Sequence, residues 1–600
     1  MSDETTIGGI FIKRLLKFLK PYIKESILGP LFKLTEATFE LFVPLVVASI
    51  VDKGIANSDN PYIVKMVGVM VLLALIGLAC AITAQYFAAK AATGFAASLR
   101  KEVFANIQGR TYEQLEDYGT GALLTRITSD INQVQTGVNL VLRLFLRSPF
   151  IVFGAVIMAF TVNVKGALFF TVCVPVLFVI VFAILLKSIP LYKKVQKALE
   201  KVTVRTRENF TGIRVLRAFR CEDEEIEGFD EDIKNLKAVQ LFAGRVTAIM
   251  NPATFLIVNM TSLAILFYGG VQADKGMMET GELMALLNYM AQILVELIKL
   301  ANLIITMTKS LACADRVAEL LDEKTQSSFE VKGPESIDII EFKNVSFSYK
   351  GSSKESLKNI SFSAKKGEVI GIIGGTGSGK TTLINVLAGF YMPLEGDILI
   401  NNKTLKDEIK KELNKEPNAD EFTNAAGMYY KGKIGLVPQT AILFNGTIED
   451  NLKWGKNDAT KEEMTEALKC SDAFDFLEEK EGLETKVSEG GKNFSGGQRQ
   501  RISIARALVR KPDVLILDDS TSALDYATEK KVRQGINEAA SESICFIISQ
   551  RAAGIMDADC IIVLENGEIA GIGTHEELLE NCTVYCEIYN SQFSKEVQNA

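Results

Sequence analysis

Six apolar stretches, at about 26–51, 63–90, 136–162, 166–189, 246–271 and 282–305, are each long enough to cross a bilayer as a helix, which takes roughly 20 residues. Hydrocarbon offers no partner for a backbone N–H or C=O, so a spanning segment of this kind must be helical. The loops at 52–62, 163–165 and 272–281 are short. Lys13, Arg14, Lys17, Lys20, Lys24, Arg100, Lys101, Arg110, Lys193 and Lys194 fall on the opposite side. That bias predicts a multi-pass protein of the cytoplasmic membrane with both termini in the cytoplasm. No cleavable signal precedes the first stretch; Ile10 to Lys20 is charged and amphipathic.

The remaining sequence has a different texture. A chain of 600 residues exceeds one core, so several domains are expected. The mean hydropathy of +0.18 averages an apolar first half with a second half of short β-rich runs and helical segments. Segments 91–135 and 190–245 are amphipathic and charged, which predicts continuous helices projecting beyond the membrane. A polar stretch, Glu323 to Ser336, reads as a linker. From Ile339 the alternation predicts a mixed, largely parallel sheet covered by helices. The domain expectation is therefore 1–322 transmembrane, 323–336 linker and 337–600 a soluble α/β domain. A net charge of −7 leaves no basic excess for nucleic acid. The nine cysteines lack any C-x-x-C spacing, which argues for free thiols in a reducing compartment.

Within the α/β domain, Gly374-Gly375-Thr376-Gly377-Ser378-Gly379-Lys380-Thr381 follows an apolar strand and precedes the helical run from Thr382 to Leu387. This is the phosphate-binding pattern in its strand–loop–helix setting. Its glycines turn amides onto phosphate oxygens at a helix N-terminus. Lys380 is expected to reach the β- and γ-phosphates of ATP, and Thr381 to hold Mg²⁺. The strand Val514 to Leu517 ends in Asp518, a second magnesium contact.

Between those motifs lies Ser495-Gly496-Gly497-Gln498, and with it the chain resembles ABC transporters of the exporter type: six transmembrane helices extended into the cytoplasm, fused to an α/β P-loop ATPase. The resemblance makes Ser495–Gln498 the family signature and Gln439 the Q-loop residue, a further magnesium and catalytic contact. It makes Ser522-Ala523-Leu524-Asp525 the D-loop, Tyr349 the aromatic that stacks on adenine, and Glu489 part of a segment touching the membrane domain's loops. A serine hydroxyl and glycine amides ahead of a helix also suit an ordinary helix cap. In the family, two cassettes sandwich two ATPs, each pairing one chain's phosphate loop with the other's signature.

Two positions depart from the family pattern. Asp519 stands where glutamate positions the attacking water, and Gln550 where the switch histidine is expected. The shorter carboxylate is withdrawn by about one C–C bond, roughly 1.5 Å, and a misplacement of about 1 Å can reduce rate on the order of 100-fold. Glutamine can donate a hydrogen bond but carries no charge. The resemblance then favours a heterodimeric exporter of hydrophobic or amphipathic compounds in which this chain supplies the degenerate site. A slow homodimeric exporter of lipid or peptide, and a regulatory half that barely hydrolyses, are the alternatives.

Asp117–Gly121 before Leu123, and Asn209–Arg214, resemble the family's two coupling helices; each could also be a plain loop. Glu36 and Glu40 lie about 24 and 18 Å below Asp52 at helical rise, and such intramembrane carboxylates are candidates for a substrate path. Arg143, Arg147, Glu296 and Lys299 are expected to be solvated or paired. The polar run Lys406 to Asn424 exceeds the family's usual spacing and reads as a silent surface insertion. His575 reads as a helix-start residue.

Overall fold

The computed structural model describes residues 15–322, 331–352, 354–414, 416–417 and 419–593. Ile10, Lys13 and Arg14 of the amphipathic N-terminal stretch, residues 323–330 of the expected linker, and residues 415 and 418 of the insertion lie outside the described residues. Two units are present: one of residues up to Asn106 with Gly121–Lys324, the other of Ile107–Thr120 with Thr325–Ala600.

The first unit is helical. Among the described residues, six helices are long and apolar enough to cross a membrane: Leu16–Ile55, Asn60–Gln108, Thr120–Val162, Val164–Thr211, Glu222–Asp274 and Thr280–Asp322. Each expected stretch falls inside one of them and is shorter than it. The 49 residues of Asn60–Gln108 extend about 74 Å at 1.5 Å each, over twice a hydrocarbon core of roughly 30 Å. Two short helices interrupt the charged extensions: α1 (Tyr112–Tyr118), ended by Gly119 at φ 69°, and α2 (Ile213–Phe219). Close helix packing relies on small side chains, with Ala84, Ala88, Ala91, Ala92 and Ala96 of the second span all buried.

The third span is irregular, with π turns at Arg126–Asp130 and Val141–Phe145. Each π turn inserts an extra residue and re-aims the side chains that follow. Just beyond the second, Arg147 and Ser148 are buried. Arg147 donates through its two Nη atoms to Glu296 Oε1 and Glu40 Oε2, each at 2.6 Å. Ser148 Oγ donates to Glu296 Oε2 at 2.8 Å, and Lys299 pairs with Glu296 at 2.8 Å. Lys33 pairs with Glu36 at 2.6 Å. Three cations thus face three carboxylates from the first, third and sixth spans. Arg147, Glu296 and Lys299 are paired, while Glu40, with 41% of its side chain exposed, keeps an open side. Removing one partner of a buried pair typically costs about 3–5 kcal/mol. Arg147→Ala is therefore expected to lower the thermal midpoint of the detergent-purified protein strongly, and Glu40→Gln only slightly; equal midpoints for Arg147→Ala and the unaltered chain would contradict this.

The second unit is built on sheets. Strands β1 (Ile339–Phe347), β2 (Leu357–Lys365), β3 (Val369–Gly374), β4 (Glu395–Ile400), β5 (Lys403–Thr404), β6 (Ile434–Val437), β7 (Gly446–Thr447), β8 (Lys486–Val487), β9 (Val514–Asp518), β10 (Ile544–Ile548), β11 (Cys560–Glu565) and β12 (Glu568–Gly573) alternate with helices. The larger sheet has the order β12-β11-β3-β10-β9-β6, parallel throughout except for the antiparallel edge strand β12. A second sheet, β2-β1-β4-β5, is entirely antiparallel, so the run from Ile339, expected in one mixed sheet, belongs to a separate one. Strands β7 and β8 make a small pair. The helices used below are α3 (Lys380–Leu387), α4 (Leu405–Leu413), α5 (Ala419–Tyr429), α6 (Gly496–Leu508), α7 (Tyr526–Ala539) and α8 (His575–Asn581). Strands β9 and β10 are buried almost end to end, as parallel strands covered on both faces must be.

Candidate functional site

Parallel pairing sets the site. Because β3, β10, β9 and β6 lie side by side and run the same way, their carboxyl ends deliver four loops to one edge of the sheet. These loops carry the phosphate loop after β3, Gln550 after β10, Asp518 and Asp519 at the end of β9, and Gln439 after β6. Together they line a cleft of about 1070 Å³, with Thr376, Gly377, Ser378, Gly379, Lys380, Thr381 and Thr382 on its wall. Gly379, at φ 102°, turns the chain into α3 through a conformation closed to most L side chains. Lys380 Nζ donates to the carbonyls of Gly374 and Gly375 at 2.8 and 2.7 Å, so the ammonium is folded over the loop.

Asp519 occupies a sharp turn. Its φ of 46° is left-handed, its N–H donates to the Ile548 carbonyl at 3.0 Å, and the Ser522 hydroxyl donates to the Asp519 carbonyl at 2.8 Å. Gln439 Nε2 donates to Asp519 Oδ2 at 3.4 Å, tying the loop after β6 to the end of β9. Burial pushes the Asp518 and Asp519 carboxyls above the usual range, and repulsion from Asp519 adds to the rise at Asp518. At Asp519 the Gln439 hydrogen bond, Arg551 and Lys380 act in the opposite direction. Burial likewise pulls the Lys380 ammonium down, against the two aspartates. Two partly buried carboxylates, with a threonine hydroxyl and an amide side chain on the same cleft wall, form a hard-oxygen donor set, the chemistry that suits Mg²⁺.

Tyr349 lies beside α3, its hydroxyl within hydrogen-bond distance of Thr382 Oγ1 at 3.2 Å. The segment Ser495–Gln498 does not line the cleft. Ser495 caps α6 in a reciprocal box: its Oγ accepts from Gln498 N–H at 3.2 Å, and its own N–H donates to Gln498 Oε1 at 3.0 Å. The ordinary-cap alternative is met locally. Gly496 and Gly497 lie in the first turn, where backbone N–H groups have no intrahelical partner. Asp525 caps α7, and His575 opens α8, hydrogen-bonded to the Tyr585 hydroxyl at 2.7 Å.

This arrangement of motifs is matched across nearly the whole length of known proteins. The family described as the ABC transporter transmembrane region covers residues 26–297, and that described as the ABC transporter covers residues 357–522. The ABC transporter ATP-binding protein YfiB of Bacillus subtilis is 35% identical over 98% of this chain and 99% of its own length. The chain belongs to the ABC transporters. Other relatives of this ABC exporter are a putative multidrug export ATP-binding/permease protein of Bacillus subtilis, YgaD, at 30% identity over 97% of this chain and 99% of its own, and an ATP-dependent lipid A-core flippase of Chromobacterium violaceum at 28% over 99% of both. The solved structure of a bacterial Atm1-family ABC exporter with ATP bound shares the fold, with a TM-score of 0.75 at 23% identity over 96% of this chain and 99% of that one.

Sequence alone passed over Tyr391, which touches both Tyr349 (ring centroids 5.4 Å apart) and Glu116 of α1, whose carboxylate accepts from its hydroxyl at 2.6 Å. Arg551, next to Gln550, was also missed, although it stabilises the charged form of Asp519. Both are long-range contacts with no local motif. Since Lys380 is the cation folded onto the phosphate loop, Lys380→Ala is expected to abolish labelling of this chain by a photoreactive ATP analogue, charge-assisted hydrogen bonds being worth about 1.5–3 kcal/mol each. Undiminished labelling would contradict that assignment.

Proposed function

We propose that this chain is one half of a heterodimeric exporter of hydrophobic or amphipathic compounds, and that its own phosphate loop belongs to the weaker of two unlike ATP sites. The observation that carries the proposal is that the cleft wall presents Asp519 and Gln550 at the two catalytic positions, while Ser495–Gln498 is absent from that wall. A second chain's signature is needed to close on this phosphate loop, and this chain's signature is free to close on the partner's. Phe210 and Phe219, flanking α2 and about three-quarters exposed, are suited to burial against the same second chain.

Within the site, Tyr349 stacks on adenine, Lys380 and the loop amides grip the phosphates, and Gln550 donates a hydrogen bond to the terminal phosphate. Thr381, Gln439 and Asp518 hold magnesium, which when bound neutralises phosphate charge. Asp519 is the water-positioning group, set back by its missing methylene and already engaged by Gln439. The site therefore binds nucleotide well and turns it over slowly. Binding closes the cassettes, the long helices carry closure to the membrane domain, and hydrolysis on the partner's loop resets it.

The proposal keeps the domain limits 1–322, 323–336 and 337–600, the cytoplasmic membrane as location and both termini in the cytoplasm. Relatives named for multidrug export and for lipid A-core flipping support an amphipathic substrate. The homodimer alternative makes a separable prediction. In the heterodimer, Ser495→Ala removes a γ-phosphate donor from the working site and should cut steady-state ATPase on the order of 100-fold, while Asp519→Asn matters far less. In a homodimer both changes strike every site, and equal loss of ATPase in the two mutant complexes would replace the heterodimer with the slow homodimer.

A further inference from the structure

The inserted stretch expected to be silent is built into the fold. Helix α5 is two-faced: Phe422, Ala425, Ala426 and Tyr429 enter the core that also holds β1 and β4, while Asp420 and Asn424, spaced i, i+4, share the opposite side. That polar side meets the intracellular turn that packs within the same unit. Gln114 Nε2 of α1 donates to Asp420 Oδ2 at 3.2 Å, and Asn424 Nδ2 donates to the Gly109 carbonyl at 3.5 Å.

Both contacts satisfy groups that need a partner. Gly109 directly follows the second span (Asn60–Gln108), where helix-terminal carbonyls lack intrahelical donors. Gln114 is the third residue of α1, and its Oε1 accepts from the Thr111 N–H in a capping box. Asp420 accepts from the other end of the same amide, so one side chain joins the helix start to the insert. On the other side of α1, Tyr112 stacks on Phe390 with centroids 5.3 Å apart, and Glu116 accepts from Tyr391. The residues around Tyr391 supply one jaw and the insert supplies the second.

We propose that α5 is a docking bracket for α1: an interaction surface, added by the insertion, that holds the segment Gly109–Tyr118 on the cassette and so tightens coupling of ATP turnover to transport. The coupling clause rests on the exporter reading; the bracket does not. The test is hydrogen–deuterium exchange of the purified full chain without nucleotide. In Asp420→Ala/Asn424→Ala, amides of residues 107–120 are expected to exchange about tenfold faster, the opening that follows loss of two modest hydrogen bonds. Gln114→Ala leaves the insert untouched and is expected to accelerate the same amides, while the α5 amides of residues 419–429 keep their protection in both variants, which excludes simple unfolding of α5 as the source. Unaltered exchange at 107–120 in both variants overturns the bracket. With the bracket intact by this measure, ethidium moved per ATP hydrolysed in reconstituted transporter reports coupling; a ratio unchanged in Asp420→Ala/Asn424→Ala overturns the coupling role and leaves the exporter reading standing.

Discussion

The cassette is organised around a conflict of charge at the carboxyl edge of its parallel sheet. Two neighbouring aspartates, both partly buried, end β9 opposite a lysine whose ammonium is folded back on its own loop. None of these charges is comfortable without an added polyanion and cation: burial raises both carboxyls and lowers the ammonium. Magnesium and nucleotide phosphates would relieve that conflict, which is why the same loops that fold the site also define its ligand. The strand order matters more than any single loop, since only parallel neighbours can bring their ends to one edge.

The membrane unit solves a related problem differently. Arg147 and Glu296 lie where water is scarce, and they persist because six charges from three spans sum to zero and are joined by short hydrogen bonds. A π turn in the third span re-aims Arg147 into that network. The open side of Glu40 is the part of it with room for another partner. The other side of Glu40 is held by Arg147, a partner that sequence depth alone did not reveal.

Legibility followed the range of the interactions. The spans were legible because hydrocarbon imposes length and composition on a contiguous stretch. The phosphate loop and Asp518 were legible because each adjoins an apolar strand, and Gln439, Asp519 and Gln550 only through the family resemblance; the cleft brings all of them together. The separate antiparallel sheet was passed over although β1 (Ile339–Phe347) mixes polar with apolar positions and β3 (Val369–Gly374) is apolar throughout, the difference expected between a one-faced antiparallel and a two-faced parallel strand. The role of α5 was not legible: its charged surroundings resemble a solvated loop, and only the fold reveals that Phe422 and Tyr429 are buried while Asp420 meets Gln114. Tyr391 and the Arg147 network were hidden for the same reason.

The central claim is that the retained phosphate loop binds nucleotide while a short carboxylate and an uncharged switch residue hold back chemistry. Restoring the family's residues is the most direct measurement of it. Asp519→Glu combined with Gln550→His in the chain, assembled with its partner, is expected to raise turnover at this chain's own site, isolated by alanine substitution of the phosphate-loop lysine in the partner, by on the order of 100-fold, with nucleotide affinity little changed. Turnover that stays at the level of the unaltered chain would contradict the account, because the limit on this site would then lie outside the two positions that set it apart.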